Sequence, residues 1–347
     1  MLRRFRLDGF LLALVAVVVA AALWPQPGAT GGVLHADWIS TYGVAVVFFL
    51  YGLTLAPEKL RKGLAHWRLH IAVQAGTFIL FPVIVLGLEA ILRGIFPPEV
   101  GTGFFFIAAL PSTVSSSVAM TSLARGNVPV AIFNATLSSL IGVFATPLLM
   151  AWFAQKTGYG FPLGAVILKV VILVLLPVGI GQVARRWLAE WAAQNSRWLR
   201  YADRAIILAI VYNAFCDSIV AGIWSANDVG LVIEMIVGVI VLFFIIYELM
   251  KIPCALLGFD REDTIACLFC ASKKSLATGI PVAKIMFGAN PAIGLIIAPL
   301  MLYHFCQLVI VSFIAQRHAA EAEALAAAQV AGGAVQGVST SRSPDIA

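Results

Sequence analysis

Charged residues are scarce in this sequence. Asp, Glu, Lys and Arg make up only 12% of its 347 residues, whereas soluble domains carry about 25%. Hydrophobic residues make up 61%, and the mean hydropathy is +0.97. The deficit of charge is spread along the chain, which excludes an ordinary soluble domain. We therefore expect a protein of the lipid bilayer.

Catalytic and metal-binding motifs are also lacking. There is no H-E-x-x-H, no G-x-S-x-G inside an apolar run and no pair of aspartates at one depth, which argues against an intramembrane enzyme. Of the five cysteines, Cys267 and Cys270 form one C-x-x-C without the second ligand pair that zinc usually needs. We expect packing cysteines and no bound cofactor, with a sodium ion or a proton as the only candidate ions.

Apolar runs close to twenty residues long recur along the sequence. Each is long enough to cross a hydrocarbon core of about 30 Å as a helix, and continuous runs are unlike the short alternating segments of a β-barrel. Arg3, Arg4 and Arg6 before the first run resemble a signal peptide, but Trp24-Pro25 continues a cleavage site poorly, so we interpret the first run as a retained helix. The sequence predicts an all-α polytopic membrane protein with ten spans, at residues 9–24, 37–56, 71–92, 101–124, 130–153, 162–183, 204–224, 229–250, 264–287 and 292–315.

Lys and Arg are distributed unevenly between alternate loops. One side holds the N-terminal arginines and most of the other cations, whereas the opposite side holds only Arg93, Lys156 and Lys284. The positive-inside rule then predicts an inner-membrane protein with both termini in the cytoplasm, so the net charge of +6 indicates orientation and not a nucleic-acid partner. Residues 1–316 are predicted to form the transmembrane domain, and 317–347 a largely disordered cytoplasmic tail.

Two of the predicted spans have a polar centre. In the fourth, Pro111 is followed by a run of hydroxyl residues that includes Ser115, Ser116 and Ser117, and the ninth reads S-K-K-S-L-A-T from Ser272. Because proline removes a helix hydrogen bond and hydroxyls can satisfy the freed backbone groups, both helices are predicted to be broken. The two spans are five apart and run in opposite directions, which predicts two inverted five-helix repeats with a binding site at the breaks. The simpler interpretation is that these small residues only pack helices closely.

Lys273 and Lys274 lie at the centre of the ninth span. A lysine at the bilayer centre costs about 2.5–3.5 kcal/mol, so membrane helices retain one mainly where it has a role. Neighbouring residues of a helix point about 100° apart. We predict that one lysine faces a cavity and that the other finds a partner, for which Asp217 and Glu234 are candidates.

Polar residues of neighbouring spans complete the candidate site. Asn134 and Thr136 follow the broken fourth span directly, where they are suited to complete an ion site. The candidate residues for substrate or ion binding are Ser115, Ser116, Ser117, Asn134, Thr136, Ser138, Ser272, Lys273, Lys274, Ser275, Thr77 and Gln74.

The sequence resembles the bile acid:sodium symporter family, solute carrier family 10, over residues 7–316. The stretches that carry the resemblance are Leu110–Ser117, Ala131–Thr136, Phe269–Pro281 and Pro299–His304, and they fit the branch with bacterial symporter-like proteins and the seventh human member. The resemblance implies a panel of helices 1, 2, 6 and 7 and a core of helices 3–5 and 8–10, in which the broken helices 4 and 9 cross. It also implies sodium-coupled uptake of an organic anion such as a bile acid or a steroid sulfate.

The sequence departs from the family's sodium ligands. Family members use a glutamate and a glutamine near the crossing on helix 9, whereas this chain has Phe269, Ser272 and the two lysines there. The serine-asparagine pair of helix 4 reads Ser116-Ser117, and one hydroxyl position of helix 5 reads Ala135. Amines in place of a carboxylate should weaken cation binding strongly, because like charges repel the ion.

Two classes of function follow from these features. The leading hypothesis is a symporter-like secondary transporter of a small organic anion, sodium-coupled by family default. If a lysine ammonium takes the place of sodium, transport is instead sodium-independent or proton-coupled. The alternative, suggested by resemblance to the human branch member alone, is a regulatory membrane protein that influences calcium homeostasis without robust solute transport. The expected partners are the organic anion and the bilayer, and the sequence leaves a homodimer open.

Overall fold

A computed structural model describes residues 9–54, 66–92, 94–157, 168, 171–222 and 229–339. Across these residues the chain is all-helical and contains no strand, so the predicted fold class is confirmed at that level. Seven described helical stretches, with the interrupted segment Arg261–Phe287 counted as one, are long and apolar enough to cross a membrane. The N-terminal arginines, the last residues of the second and seventh predicted spans and the first part of the sixth lie outside the described residues.

We number the helices after the predicted spans. The unbroken helices are α1 (Gly9–Leu23), α2 (Ala36–Thr54), α3 (Trp67–Ile91), α5 (Val128–Thr157), α6 (Val171–Gln194), α7 (Ser196–Val220), α8 (Val229–Leu249) and α10 (Ile293–Ser339). Each of the two segments with a polar centre forms a pair of half-helices. These are α4a (Pro98–Ala109) with α4b (Ser115–Leu123), and α9a (Arg261–Ala271) with α9b (Leu276–Phe287). Short helices at Pro25–Gly28 and Lys251–Leu256 lie in connections.

The helices pack into two groups. The first group consists of α1, α2, α6 and α7, whose closest packing joins α2 to α6. Glycines allow this approach, since a Cβ added at Gly52 would overlap the Val178 carbonyl oxygen. The second group consists of α3, α4a, α4b, α5, α8, α9a, α9b and α10. The two groups meet mainly where α7 and α2 contact α9b and where α7 contacts the start of α10.

The second group encloses the two broken helices. Most residues of α9a, α9b and α4a are buried, whereas α6 exposes most of its surface. Exposed apolar side chains such as those of Ile79, Leu148 and Ile180 are suited to face lipid. The polar residues of the breaks therefore lie inside protein, which is where irregular backbone is tolerated at membrane depth.

Helix α10 continues past the predicted end of its span. It remains helical to Ser339, so helical structure extends into the region 317–347 that the sequence predicts to be a largely disordered tail. Its extension contacts the ends of the broken helices: Arg125 lies 2.9 Å from Glu323, and Arg261 donates to the His318 carbonyl at 2.5 Å. The domain boundary at 316 stays a prediction, and residues 340–347 lie outside the described part of the chain.

Candidate functional site

The break in the fourth helix follows from Pro111, which has no N–H to donate. Helix α4a ends at Ala109, and the residues 110–114 are not helical. In a regular helix the Ala108 carbonyl would accept from the Ser112 amide, but that amide donates to the Ser138 hydroxyl at 2.9 Å. The break thus leaves the last carbonyls of α4a without partners inside their own helix.

Four consecutive carbonyls at this break find partners outside their own helix. The Ala108 and Leu110 oxygens each accept from the Lys274 ammonium at 2.8 Å. The Ala109 oxygen accepts from the Thr146 hydroxyl at 2.7 Å. The Pro111 oxygen accepts from the Ser275 amide at 2.9 Å, which joins the two breaks directly. The backbone of α4a is therefore satisfied at its end, as burial in a membrane requires.

The break in the ninth helix is fixed by side chains of α10. Gln307 clamps the backbone of Lys274, because its Oε1 accepts from the Lys274 amide and its Nε2 donates to the Lys274 carbonyl, each at 2.9 Å. The Tyr303 hydroxyl donates to the Ser272 carbonyl at 2.6 Å. Ser275 caps α9b, since its hydroxyl accepts from the Thr278 amide at 3.2 Å. The residues between α9a and α9b are thus held in one conformation.

The Lys274 ammonium is fully used. Besides the two carbonyls of α4a it donates to the Thr77 carbonyl at 2.9 Å, so its three donors have three backbone acceptors. Thr77 can accept because α3 has a π-helical turn there: the Phe81 amide bonds to Gly76, and Pro82 has no N–H. The ammonium also lies 4.1 Å from the centre of the Phe81 ring.

The Lys273 ammonium is used only in part. Lys273, like Lys274, is 0% exposed, and among the described residues its ammonium makes one hydrogen bond, to the Ser116 carbonyl at 2.7 Å. An ammonium has three donors, so two of them remain for other acceptors. The nearest aromatic ring is that of Phe269, whose centre lies 5.8 Å away. The sequence predicts that one lysine faces a cavity and that the other finds a partner; in this conformation both are buried, and each ammonium bonds to backbone carbonyls.

Hydroxyl groups gather at the start of α4b. The Thr113 hydroxyl lies 2.6 Å from that of Ser116 and 3.0 Å from that of Ser117. The Ser117 hydroxyl donates to the Phe269 carbonyl at 3.4 Å. Val114, the residue before α4b, provides no side-chain cap, so the first amides of the half-helix gain no partner from it. This end of the half-helix carries positive partial charge beside Lys273.

The remaining predicted residues divide into those at the crossing and those beside it. Ser138 supports the α4 break, whereas Gln74 donates to the Asn134 carbonyl at 3.2 Å, and Gln74 Oε1 is buried without a partner. The hydroxyls of Thr77, Thr136 and Ser272 donate to carbonyls of their own helices, at 2.7–2.8 Å. The side chain of Ser115 lies outside the described part of the structure.

The predicted carboxylate partners of the lysines are wrong. Asp217 accepts from the amide and the hydroxyl of Thr30, at 2.7 and 2.8 Å, and Glu234 is exposed on α8. Both ammonium groups instead bond to backbone carbonyls. Lys273 bonds to a carbonyl inside α4b, and Lys274 bonds to two carbonyls at the end of α4a and to one in the π-helical turn of α3. The sequence shows which side chains are polar, but the hydrogen-bond acceptors of these two lysines are main-chain oxygens.

Several residues of the site are missing from the predicted set. Gln307, Thr146 and Tyr303 hold the breaks, and Phe81 lies against the Lys274 ammonium. Gln307 carried a signal, because a buried amide in an apolar span needs partners. The other three look like ordinary packing residues in sequence, and only their distances reveal a role.

Comparison with known proteins identifies the family of this chain. The model of the SBF-like CPA transporter family, a family of transporters, matches residues 8–320. A Pseudomonas aeruginosa protein whose name gives no function is 42% identical over 94% of this chain and 97% of its own. YfeH of Escherichia coli, named as a candidate symporter, is 37% identical (93% and 96%), and sodium/bile acid cotransporter 7 of Danio rerio is 32% identical (90% and 94%). The resemblance found in the sequence is confirmed. The chain is a multi-pass membrane protein that belongs to the SBF-like CPA transporter family.

Proposed function

We propose that the protein is a secondary active transporter that carries a small organic anion by way of the crossing of the broken fourth and ninth helices. The observation that carries the proposal is the Lys273 ammonium, which is buried at the crossing and uses one donor on the Ser116 carbonyl. Two donors are left, and the uncapped start of α4b adds positive partial charge. A carboxylate or a sulfate fits such a site, because charge-assisted hydrogen bonds to anions are strong.

The surroundings of the crossing favour an anion with an apolar body. Val114 is 37% exposed, Ala277 is exposed, and Met120 is half-buried, so apolar surface is accessible beside the polar residues. Relatives of this chain are named sodium/bile acid cotransporters. We therefore propose bile acids and steroid sulfates as the first substrates to test, since each combines an anionic group with a large apolar body.

We further propose that transport does not require sodium. The Lys274 ammonium already occupies three carbonyl oxygens at 2.8–2.9 Å, the type of ligand that a monovalent cation would need. A sodium ion beside two buried ammonium groups would be repelled, and this repulsion is strong at low dielectric constant. Coupling to a proton is the alternative, and it would require Lys273 to release its proton during each cycle.

Uptake into proteoliposomes tests both statements. Purified protein is assayed with a radiolabelled bile acid or steroid sulfate, in sodium buffer, in N-methylglucamine buffer and with an imposed pH gradient. We expect equal uptake with and without sodium, and at least about tenfold slower uptake in Lys273→Met, since hydrogen bonds to charged groups contribute about 1.5–3 kcal/mol. Lys251→Met is the matched control, because Lys251 is exposed and paired with Glu248.

Each outcome decides a separate point. Complete loss of uptake without sodium would rule out the lysine as a substitute for the ion. Unchanged uptake in Lys273→Met would remove this residue from the substrate site. If folded protein carried none of the tested anions under any gradient, the regulatory alternative would be favoured instead.

The same proposal includes the membrane architecture: ten spans in two inverted repeats in the inner membrane, with both termini in the cytoplasm. The matching breaks in α4 and α9 and the two groups of packed helices support it. Single cysteines at Lys156 and Trp198, both exposed, test the orientation. An impermeant maleimide should label Lys156→Cys in intact spheroplasts and Trp198→Cys only after permeabilisation, and the reverse pattern would contradict the predicted topology.

A further inference from the structure

A second polar cluster joins the two groups of helices at the end of the bundle where α10 begins. The Lys284 ammonium of α9b donates to Asn213 Oδ1 of α7 at 2.7 Å. The Ser40 hydroxyl of α2 lies 3.1 Å from the same oxygen, and Asn213 Nδ2 donates to the Gly28 carbonyl at 3.0 Å. Asn213 is fully buried. One amide side chain thus connects α9b of the second group with three segments of the first.

Ser218 makes a second connection further along α7. The Gly294 amide, at the start of α10, donates to the Ser218 hydroxyl at 2.8 Å, and this hydroxyl lies 2.9 Å from the Pro291 carbonyl oxygen. The close approach depends on glycine, since a Cβ at position 294 would lie 2.6 Å from the Ser218 oxygen. Ser218 is also fully buried, so water does not compete for these hydrogen bonds.

Opposite charges strengthen the contact at Lys284. The carboxylates of Asp217 and Asp37, both from the first group, act electrostatically on the Lys284 ammonium. Asp217 is fixed by its two hydrogen bonds to Thr30. Asp37 Oδ1 is buried without a hydrogen-bond partner, so the nearby positive charge compensates its burial. If the two groups of helices separated at this end, the Lys284 ammonium and the Asp37 carboxylate would each lose the opposite charge.

The other end of the bundle is built differently. There α4b and α9a pack on α3, α5 and α10, all members of their own group. No hydrogen bond or ion pair among the described residues joins α4b or α9a to α1, α2, α6 or α7. Within the described part of the chain, α9b and the start of α10 therefore make polar contacts to the first group that α4b and α9a lack.

We propose that the side chains of Lys284, Asn213, Ser40 and Ser218 form a latch that keeps the two groups of helices closed at this end and opens during the transport cycle. In the predicted orientation this end faces away from the cytoplasm. The structure then corresponds to a state that is closed to the outside. The inference rests on the proposed function in treating the two groups as parts that move relative to each other.

Cysteine accessibility tests the latch without measuring transport. In a chain whose native cysteines are replaced, a single Ala214→Cys places the probe in α7, where Ala214 is 0% exposed and its carbonyl lies 2.9 Å from the Ser218 hydroxyl. The rate of labelling by an impermeant maleimide is measured in intact spheroplasts. Lys284→Met should raise this rate by about tenfold or more, because a hydrogen bond to a charged group shifts an equilibrium by at least that factor. Lys156→Met, another cation predicted on the same side, is the matched control.

Ser218→Ala provides an independent variant, and it should also raise the labelling rate because it removes the contact to Gly294. If Lys284→Met does not reach the membrane, Ser218→Ala decides. Parental labelling rates in the variants that fold would overturn the latch, and so would an equal increase in Lys156→Met. The readout also separates this inference from the proposed function: anion uptake can persist without a latch, and the latch can open faster in a protein that carries none of the tested anions.

Discussion

Replacement of Lys274 by methionine tests whether its ammonium holds the broken helices together. Methionine has a similar length and no charge, so it keeps most of the packing. The change leaves three buried carbonyl oxygens without a donor, those of Thr77, Ala108 and Leu110. An unsatisfied buried acceptor costs about 1–3 kcal/mol, which gives about 3–9 kcal/mol in total. Because a buried ammonium itself costs about 2.5–3.5 kcal/mol, we expect a net loss of about 3 kcal/mol in the free energy of unfolding.

Lys273→Met is the internal comparison. The Lys273 ammonium makes one hydrogen bond, so its removal costs about 1–3 kcal/mol in the free energy of unfolding. The variant also no longer buries a charge, which largely offsets this loss. The assay is thermal unfolding of the purified proteins in one detergent. Lys274→Met should melt about 5–10 °C below the parent, whereas Lys273→Met should stay within about 2 °C of it. Equal melting temperatures for the two variants, or a parental value for Lys274→Met, would refute the reasoning.

Three further predictions concern the same crossing. A steroid sulfate or bile acid that binds should raise the melting temperature of the parent, since a ligand at about 100 times its Kd adds about 2.7 kcal/mol to the free energy of unfolding. Lys273→Met should lose this shift in melting temperature, and a retained shift would place the anion elsewhere. Gln307→Ala should lower stability by about 2 kcal/mol in the same melting assay, because it removes both hydrogen bonds to the backbone of Lys274; a neutral result would contradict the clamp. Ser138→Ala should cost about 1–3 kcal/mol by leaving a buried amide at the break unpaired. Ser139→Ala loses a bond to its own helix and a contact with Tyr51 but leaves no backbone amide unpaired, so it should cost less; the reverse order would count against the role of Ser138.

Much of the local structure could be predicted from the sequence. The apolar runs indicate helices because, in lipid, each backbone group must be satisfied within its own segment, so composition and length suffice. The site of one break is equally local, since Pro111 cannot donate a hydrogen bond and polar residues follow it. The wide turn of α3 also has a visible cause in Pro82, although the sequence did not reveal that the Thr77 carbonyl would become an acceptor.

The identity of the lysines' partners lay beyond the sequence. Asp217 and Glu234 were reasonable candidates by charge, but charge does not fix distance, and Asp217 bonds instead to Thr30. The actual acceptors are main-chain oxygens, which every residue carries and no side-chain pattern marks. Which of these oxygens lies within reach of an ammonium depends on how the helices pack, and that is known only from the tertiary structure.

By itself, the sequence determined the helical class, the family and the places where two helices are interrupted, because hydropathy and proline act over a few neighbouring residues. Only the tertiary structure decided which ammonium is saturated, since Lys274 meets carbonyls 164, 166 and 197 residues away in the chain while Lys273 meets one. It also brought Lys284 to Asn213, 71 residues apart. Contacts over such separations follow from how the helices pack, and packing depends on the whole set of helix surfaces rather than on any local pattern.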